Sequence, residues 1–229
     1  MKEGFVNSTL LKLLALIFMT VDHVGMLLFS NNDAMRIIGR LAFPIFAFFI
    51  AEGCRYTRNR LNYFLRIFAV GFVSQVVYSL FSHTLFINIF LTFSVSVLII
   101  NSIKFARKSN KKFAYLTPLG VIVLVITANL LLKTYLPESL AFGFDYSVPG
   151  MLLPVFVYMS DNKYEKLALF TLGLIFVCVW FGGIQDWSLA SVPLLCLYNG
   201  KAGKLRLKYL FYLYYPLHLL ALQLIALIL

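Results

Sequence analysis

Charge is what this sequence has least of. Only 13% of its 229 residues are Asp, Glu, Lys or Arg, nine of them acidic, while 61% are hydrophobic. Soluble domains carry about 25% charged residues and are roughly half apolar. The deficit therefore excludes an ordinary soluble globular protein and implies a polytopic membrane protein, in line with a mean hydropathy of +0.87. Cysteine is scarce too. Cys54, Cys178 and Cys196 lie far apart, with no CxxC or Cys/His cluster, which argues against a disulfide framework or a zinc site, and no metal is expected. No linker, low-complexity tract or internal repeat interrupts the chain, so residues 1–229 read as a single membrane domain. The first apolar run is too long for a signal peptide and no small-residue cleavage site follows it, so it reads as a retained helix.

What is present is a series of about nine apolar segments: Thr9–Phe29, Ile37–Gly53, Tyr63–Phe81, Leu85–Ile103, Tyr115–Leu132, Val148–Met159, Leu167–Phe181, Leu189–Tyr198 and Tyr209–Leu229. A spanning helix needs about 20 residues, so the sixth and eighth are short and either extend into their flanks or re-enter. The expectation is an all-α transmembrane helical bundle of about nine spans, within a range of seven to ten. The net charge of +11 is read loop by loop, as topology and contact with anionic lipid, and not as a nucleic-acid footprint. With a cytoplasmic N-terminus, 17 of the 20 basic residues fall inside, and only Arg36, Arg40 and Lys133 fall outside. That asymmetry follows the positive-inside rule, and it supports a multi-pass protein with the N-terminus inside and the C-terminus outside.

Ionisable residues inside spans are costly and point to function. The first segment holds Lys12, Asp22 and His23. Lys12 and His23 are eleven residues apart, so at ~100° per residue they share one helix face about 16 Å apart along the axis. Asp22 points about 100° away from His23 and is not automatically its partner. In the second segment Arg40 and Glu52 bracket a run containing Pro44. This is either a snorkelling arginine with an interfacial glutamate, or a helix kinked at the proline that lines a polar cavity shared with the first. Arg55, Arg58, Arg60 and Arg66 follow, and arginine's planar fork suits a phosphorylated cytosolic ligand. A plain positive-inside loop would serve equally.

Ser74, Gln75 and Asn88 read first as interhelical hydrogen bonds, with Gln75 also a candidate substrate contact. Asp145, before Ser147-Val-Pro-Gly150, either caps a helix or lines a substrate entrance. The run Tyr198-Asn-Gly-Lys-Ala-Gly-Lys204 is not a P-loop, but its amides and its lysines Lys201 and Lys204 suit phosphates. The last segment places His218 near mid-membrane, two residues after Pro216 and beside four tyrosines, Tyr215 among them. His218 and the tyrosines are either interhelical packing or part of a polar active cavity. His83 reads as solvated.

The stretches Lys12 to Gly25, Gly39-Arg-Leu-Ala-Phe-Pro-Ile-Phe-Ala-Phe-Phe-Ile-Ala-Glu-Gly53, Tyr198-Asn-Gly-Lys-Ala-Gly203 and Phe211-Tyr-Leu-Tyr-Tyr-Pro-Leu-His218 together resemble the TraX family, in order over nearly the whole chain. Named members of that family acetylate the N-terminal amine of a pilin subunit. More distantly, the first helix is similar to that of the acyltransferase-3 family, where an arginine precedes a histidine by the same spacing; Lys12 stands in the arginine's place. The resemblance implies acyl transfer from acetyl-CoA to an acceptor peptide, glycan or lipid. In that reading His23 takes a proton, Asp22, Arg40 and His218 support it, and Lys12, Arg55, Arg58, Arg66, Lys201 and Lys204 hold the donor. Glu52, Gln75, Asp145 and Tyr215 contact substrate. A proton-coupled transporter using the same Asp, His and Arg residues, or a scaffold in a membrane complex, are the other expectations, although no inverted repeat supports the transporter.

Overall fold

The computed structural model describes residues 4–29, 32–82, 84–109, 111–204 and 207–229. His83, Lys2 and Arg206 lie outside the described residues. The chain is helical nearly throughout: α1 Ser8–Leu27, α2 Asp33–Gly39, α3 Ala42–Tyr56, α4 Arg60–Ser82, α5 Ile89–Ser109, α6 Leu116–Tyr135, α7 Ser147–Tyr158, α8 Lys163–Phe181, α9 Ser191–Cys196 and α10 Lys208–Ile228. A 3₁₀ stretch, Gly183–Ala190, leads into α9. The strands β1 Phe86–Ile87 and β2 Gly143–Phe144 form one short parallel pair.

Two ends of the bundle are defined by contacts. At the first, which we term the near end, Val6 pairs with Tyr198, Arg55 meets the backbone of Ser160, and Arg107 meets Met159. At the far end, Arg40 meets Tyr146, Leu85 bonds to Leu140, and Phe181 lies against the Tyr146 ring. Among the described residues, seven helical stretches between these ends are long and apolar enough to cross a membrane: α1, α2 with α3, α4, α5, α6 with the turn before it, α8 and α10. The short sixth and eighth segments of the sequence form α7 and the 3₁₀ stretch with α9. The twelve residues of α7 carry it from Tyr146 to Tyr158, and the 3₁₀ stretch gains reach from its roughly 2.0 Å rise per residue.

The second segment departs from expectation in one respect. Its break falls at Arg40 and Leu41, between α2 and α3, and not at Pro44. Pro44 lies in the first turn of α3, where its missing N–H would have had no partner in any case. Arg40 thus sits at the joint of the two helices, where the backbone stays in the right-handed helical region and the side chain reaches Asp22 of α1.

The core is built on α3, whose face from Phe43 to Cys54 is almost wholly buried against α1, α5 and α7. By contrast α6 has no fully buried residue and packs chiefly on α5, through a half-buried stripe that includes Val121 and Ile122. The rest of its apolar surface is exposed, as on a helix that faces lipid.

Candidate functional site

At the far end of α1, His23 Nδ1 lies 2.7 Å from His218 Nε2 of α10, and His218 Nδ1 lies 2.8 Å from the carbonyl oxygen of Tyr214. A carbonyl only accepts, so His218 Nδ1 carries a proton. In the neutral ring its Nε2 is then an acceptor, and His23 Nδ1 must be the donor. The chain of bonds fixes the His23 tautomer and leaves His23 Nε2 as an unprotonated base. Tyr214 is itself held by a 2.7 Å bond to Thr20, and its ring stacks on His218. His218 is 8% exposed.

Asp22 takes no part in this. Its Oδ2 is 2.9 Å from Arg36 Nη1, and Arg36 also donates to the Asp22 carbonyl at 3.3 Å. Arg40 Nη2 stands 3.9 Å from Asp22 Oδ1. Gly39 makes the approach possible, since any side chain there would strike Asp22. Arg40 also donates to the Tyr146 hydroxyl at 3.3 Å and to Gln185 Oε1 at 3.5 Å. The arginine therefore ties α1, the start of α7 and the 3₁₀ stretch together at the level of the histidines, and both Arg36 and Arg40 are within electrostatic reach of His23.

Asp145 joins this cluster from the loop before α7. Its carboxyl does not cap the helix, because the cap position is Tyr146 and no side chain bonds there. Burial lifts the carboxyl to about 7, against the pull of the Arg40 guanidinium. The two residues that follow, Tyr146 and Ser147, hold φ of 56° and 46°. Consecutive left-handed residues other than glycine are strained by about 1–3 kcal/mol each and gather at functional sites. Gly150 accepts the Tyr146 side chain against its backbone.

Toward the near end lies a cavity of about 790 Å³, within the size range of small-molecule sites. Lys12 enters it from α1, with Nζ 4.9 Å from the Phe49 ring and 5.7 Å from the Phe211 ring. Glu52 lines it beside Lys12, and Gly200, Ala202 and Gly203 form part of its mouth. The mouth is fastened to α1 by bonds from Val6 N to Leu197 O and from Ser8 N to Lys201 O. Exposed Lys204 and Lys201 flank these glycines, and Arg66 is within electrostatic reach of Tyr212 in the cavity wall. A smaller cavity of about 250 Å³ adjoins it, with Glu52, Tyr56, Tyr198 and Gly200 common to both.

An aromatic pair lies between the wall of the large cavity and the histidines. Phe90 lines the cavity, its ring is 4.7 Å from that of Tyr215, and Tyr215 is 6.2 Å from His23 and 5.5 Å from His218.

Several sequence candidates do other work. Arg55 is not free for a phosphate: it pairs with Asp161, approaches Glu52 at 3.9 Å, and donates to the carbonyls of Tyr158 and Ser160. These bonds lock the α7–α8 turn onto α3. Glu52 is buried in a 2.7 Å pair with Lys166. Gln75 accepts from both the backbone and the side chain of Asn88 and donates to Phe86 O, so it serves as a clamp between α4 and α5. Arg58 is exposed and stands apart from the cavity lining. In the other direction, sequence reasoning passed over Arg36, Tyr146, Gln185 and Lys166. The four-residue spacing of Arg36 and Arg40 was a signal for a shared face toward Asp22; nothing local marks Gln185.

The family model described as TraX protein matches residues 7–226. The chain is 26% identical over 235 aligned residues, 91% of each chain, to the Probable fimbrial assembly protein FimC, serogroup H1, of Dichelobacter nodosus. A stretch of 40 residues, 18% of this chain and 16% of the relative, is 58% identical to Uncharacterized protein RP591 of Rickettsia prowazekii (strain Madrid E). No solved structure matches. With a family match over residues 7–226, which takes in His23, His218 and Lys12, the chain belongs to the TraX protein family.

Proposed function

We propose that the protein is an integral membrane acyltransferase that moves an acetyl group from acetyl-CoA to an amine or hydroxyl, with His23 as the general base. The observation that carries this reading is the His23–His218–Tyr214 chain, which leaves one imidazole nitrogen unprotonated and oriented inside an apolar bundle. The 790 Å³ cavity supports a donor site at the near end. Its apolar walls suit the pantetheine arm, and Lys12, Lys201, Lys204 and Arg66 offer charge to the phosphates at its mouth. Lys12 lies about 16 Å below His23 along α1, a span that an extended donor arm bridges once the Phe90–Tyr215 pair yields.

In the reaction the acceptor nitrogen or oxygen attacks the thioester carbonyl carbon and loses its proton to His23 Nε2. The carbonyl π pair moves onto oxygen beside the Arg40 guanidinium. On collapse the C–S bond breaks, and the thiolate leaves as CoA, taking the proton back from His23. Near-end loops rich in Lys and Arg support a cytoplasmic near end under the positive-inside rule, the side from which a cytosolic donor would enter. The acceptor, whether peptide, glycan or lipid, meets the histidines from the far side within the bacterial cytoplasmic membrane.

The test is transfer of labelled acetyl from acetyl-CoA by the purified protein in lipid nanodiscs. A positioned general base contributes about 10²–10⁴-fold, so His23→Ala should lose at least ~10²-fold while still gaining thermal stability from acetyl-CoA. A His23→Ala protein that turns over at the wild-type rate would remove His23 from the mechanism.

A further inference from the structure

Arg40 donates to two neighbours and thereby leaves two donors pointing elsewhere. Its Nη1 supplies a proton to the Tyr146 hydroxyl oxygen, so the phenol's own proton is turned away from the guanidinium, and none of the described residues accepts it. Nη1 also faces Gln185 Oε1, which fixes the amide with its NH₂ on the opposite side. That Nε2 is buried without a partner, in a side chain whose residue is only 4% exposed. Arg40 Nε is buried and unpartnered as well. Buried polar groups without partners are rare in native proteins and call for an explanation. Here three unpaired donors gather around one guanidinium, against a single unpaired acceptor, Asp22 Oδ1.

We propose that Tyr146 and Gln185 are catalytic residues whose hydrogen bonds, backed by the Arg40 charge, receive the oxyanion that forms on the thioester carbonyl. The proposal rests on the acyl-transfer reading above and deepens it. An excess of donors suits a group that becomes negative only during the reaction, because fixed donors then need no reorganisation at that moment. Two further features hold the phenol still. The Tyr146 ring stacks on Phe43 at 3.7 Å between centroids and 8° between planes. Its backbone, with that of Ser147, is kept in the left-handed region, a strained state that aims the ring at Arg40. Arg40 is a positioning residue for both donors as well as a source of charge.

The experiment measures steady-state acetyl transfer by full-length wild type, Tyr146→Phe, Gln185→Glu and Gln185→Leu in nanodiscs, with acetyl-CoA-induced thermal stabilisation recorded for each. Removal of one such donor costs about 10²–10³ in kcat. Tyr146→Phe and Gln185→Leu should each lose on this order, with KM for acetyl-CoA and the thermal stabilisation within about twofold of wild type; Gln185→Glu, which keeps the shape but sets a carboxylate toward the oxyanion, should fall at least as far. Retention of more than a third of wild-type kcat by both Tyr146→Phe and Gln185→Leu overturns the proposal and leaves the acyltransferase reading intact. A loss confined to KM, or matched by loss of the acetyl-CoA stabilisation, also overturns it, since the residues would then shape the ground-state site. Absence of transfer by the wild type, with no stabilisation by acetyl-CoA, overturns the broader reading and this one with it.

Discussion

At the scale of single residues, the histidine pair shows how a lone intramembrane His gains a role from the chain that holds it. His218 was visible in the sequence as a second buried imidazole, but its bond to His23 depends on α10 lying beside α1, which no local pattern states. The same holds for Asp22. Its helical offset from His23 was legible, yet its arginine partners come from the joint between α2 and α3. If His218 acts by orienting His23, His218→Leu should lower kcat by about 10–10³-fold, and His218→Gln, which can still accept from Nδ1, should recover part of it; equal loss in both would assign the effect to packing. Gly39→Ala places a methyl against the Asp22 side chain and should reduce transfer by breaking the ion pairs of Asp22, read as lost activity in protein that still binds acetyl-CoA. Asp145 gives a pH signature. A carboxyl raised to about 7 from about 4 binds its proton more tightly folded than unfolded. Its stabilising effect is whole below pH ~4 and fades as pH climbs through 7. Thermal melts from pH 4 to 8 should show that decline in the wild type and a flatter profile in Asp145→Asn.

At the scale of elements, the nine apolar segments and the antiparallel pairing of the first two were readable from hydropathy and loop charge, because both reflect local composition. The position of the α2–α3 break was not. Proline is the strongest local breaker signal, but at the start of a helix it is harmless, and the turn is instead set at Arg40–Leu41 where α2 packs on α1. The α3–α8 contact includes, beside the Phe48–Phe170 ring pair, an ion pair that sequence cannot supply, since Glu52 and Lys166 are far apart in the chain. Both are buried, at 6% and 9% exposure. Removing one partner of a buried pair costs about 3–5 kcal/mol, so Lys166→Met should sharply lower the melting temperature. Glu52→Gln with Lys166→Met should restore much of it, as the charge left behind is then gone. No recovery in the double variant would mean that packing, and not an uncompensated carboxylate, set the cost.

For the whole molecule, the charge asymmetry of the sequence coincides with the near end found in the structure. Arg58, Arg66, Lys163, Lys201 and Lys204 gather there, while Lys133 sits at the opposite end of α6. Single cysteines replacing Lys201 and Thr134 should therefore label from opposite sides, Thr134→Cys with a membrane-impermeant maleimide on intact cells, and Lys201→Cys only after permeabilisation. The reverse pattern would invert the proposed topology.

The Phe90–Tyr215 pair has a consequence for economy. Under the proposed reaction, a thioester resting in the near-end cavity would have the Phe90 and Tyr215 rings between it and the imidazole. If the rings part only when an acceptor is seated, donor consumption is coupled to product, and idle turnover is suppressed. Phe90→Ala, which opens the wall without touching either histidine, should uncouple the two: CoA would be released faster than acetyl-acceptor accumulates, the difference appearing as free acetate. Equal rates of CoA release and acceptor acetylation in that variant would show that the rings are packing and not a barrier to leakage.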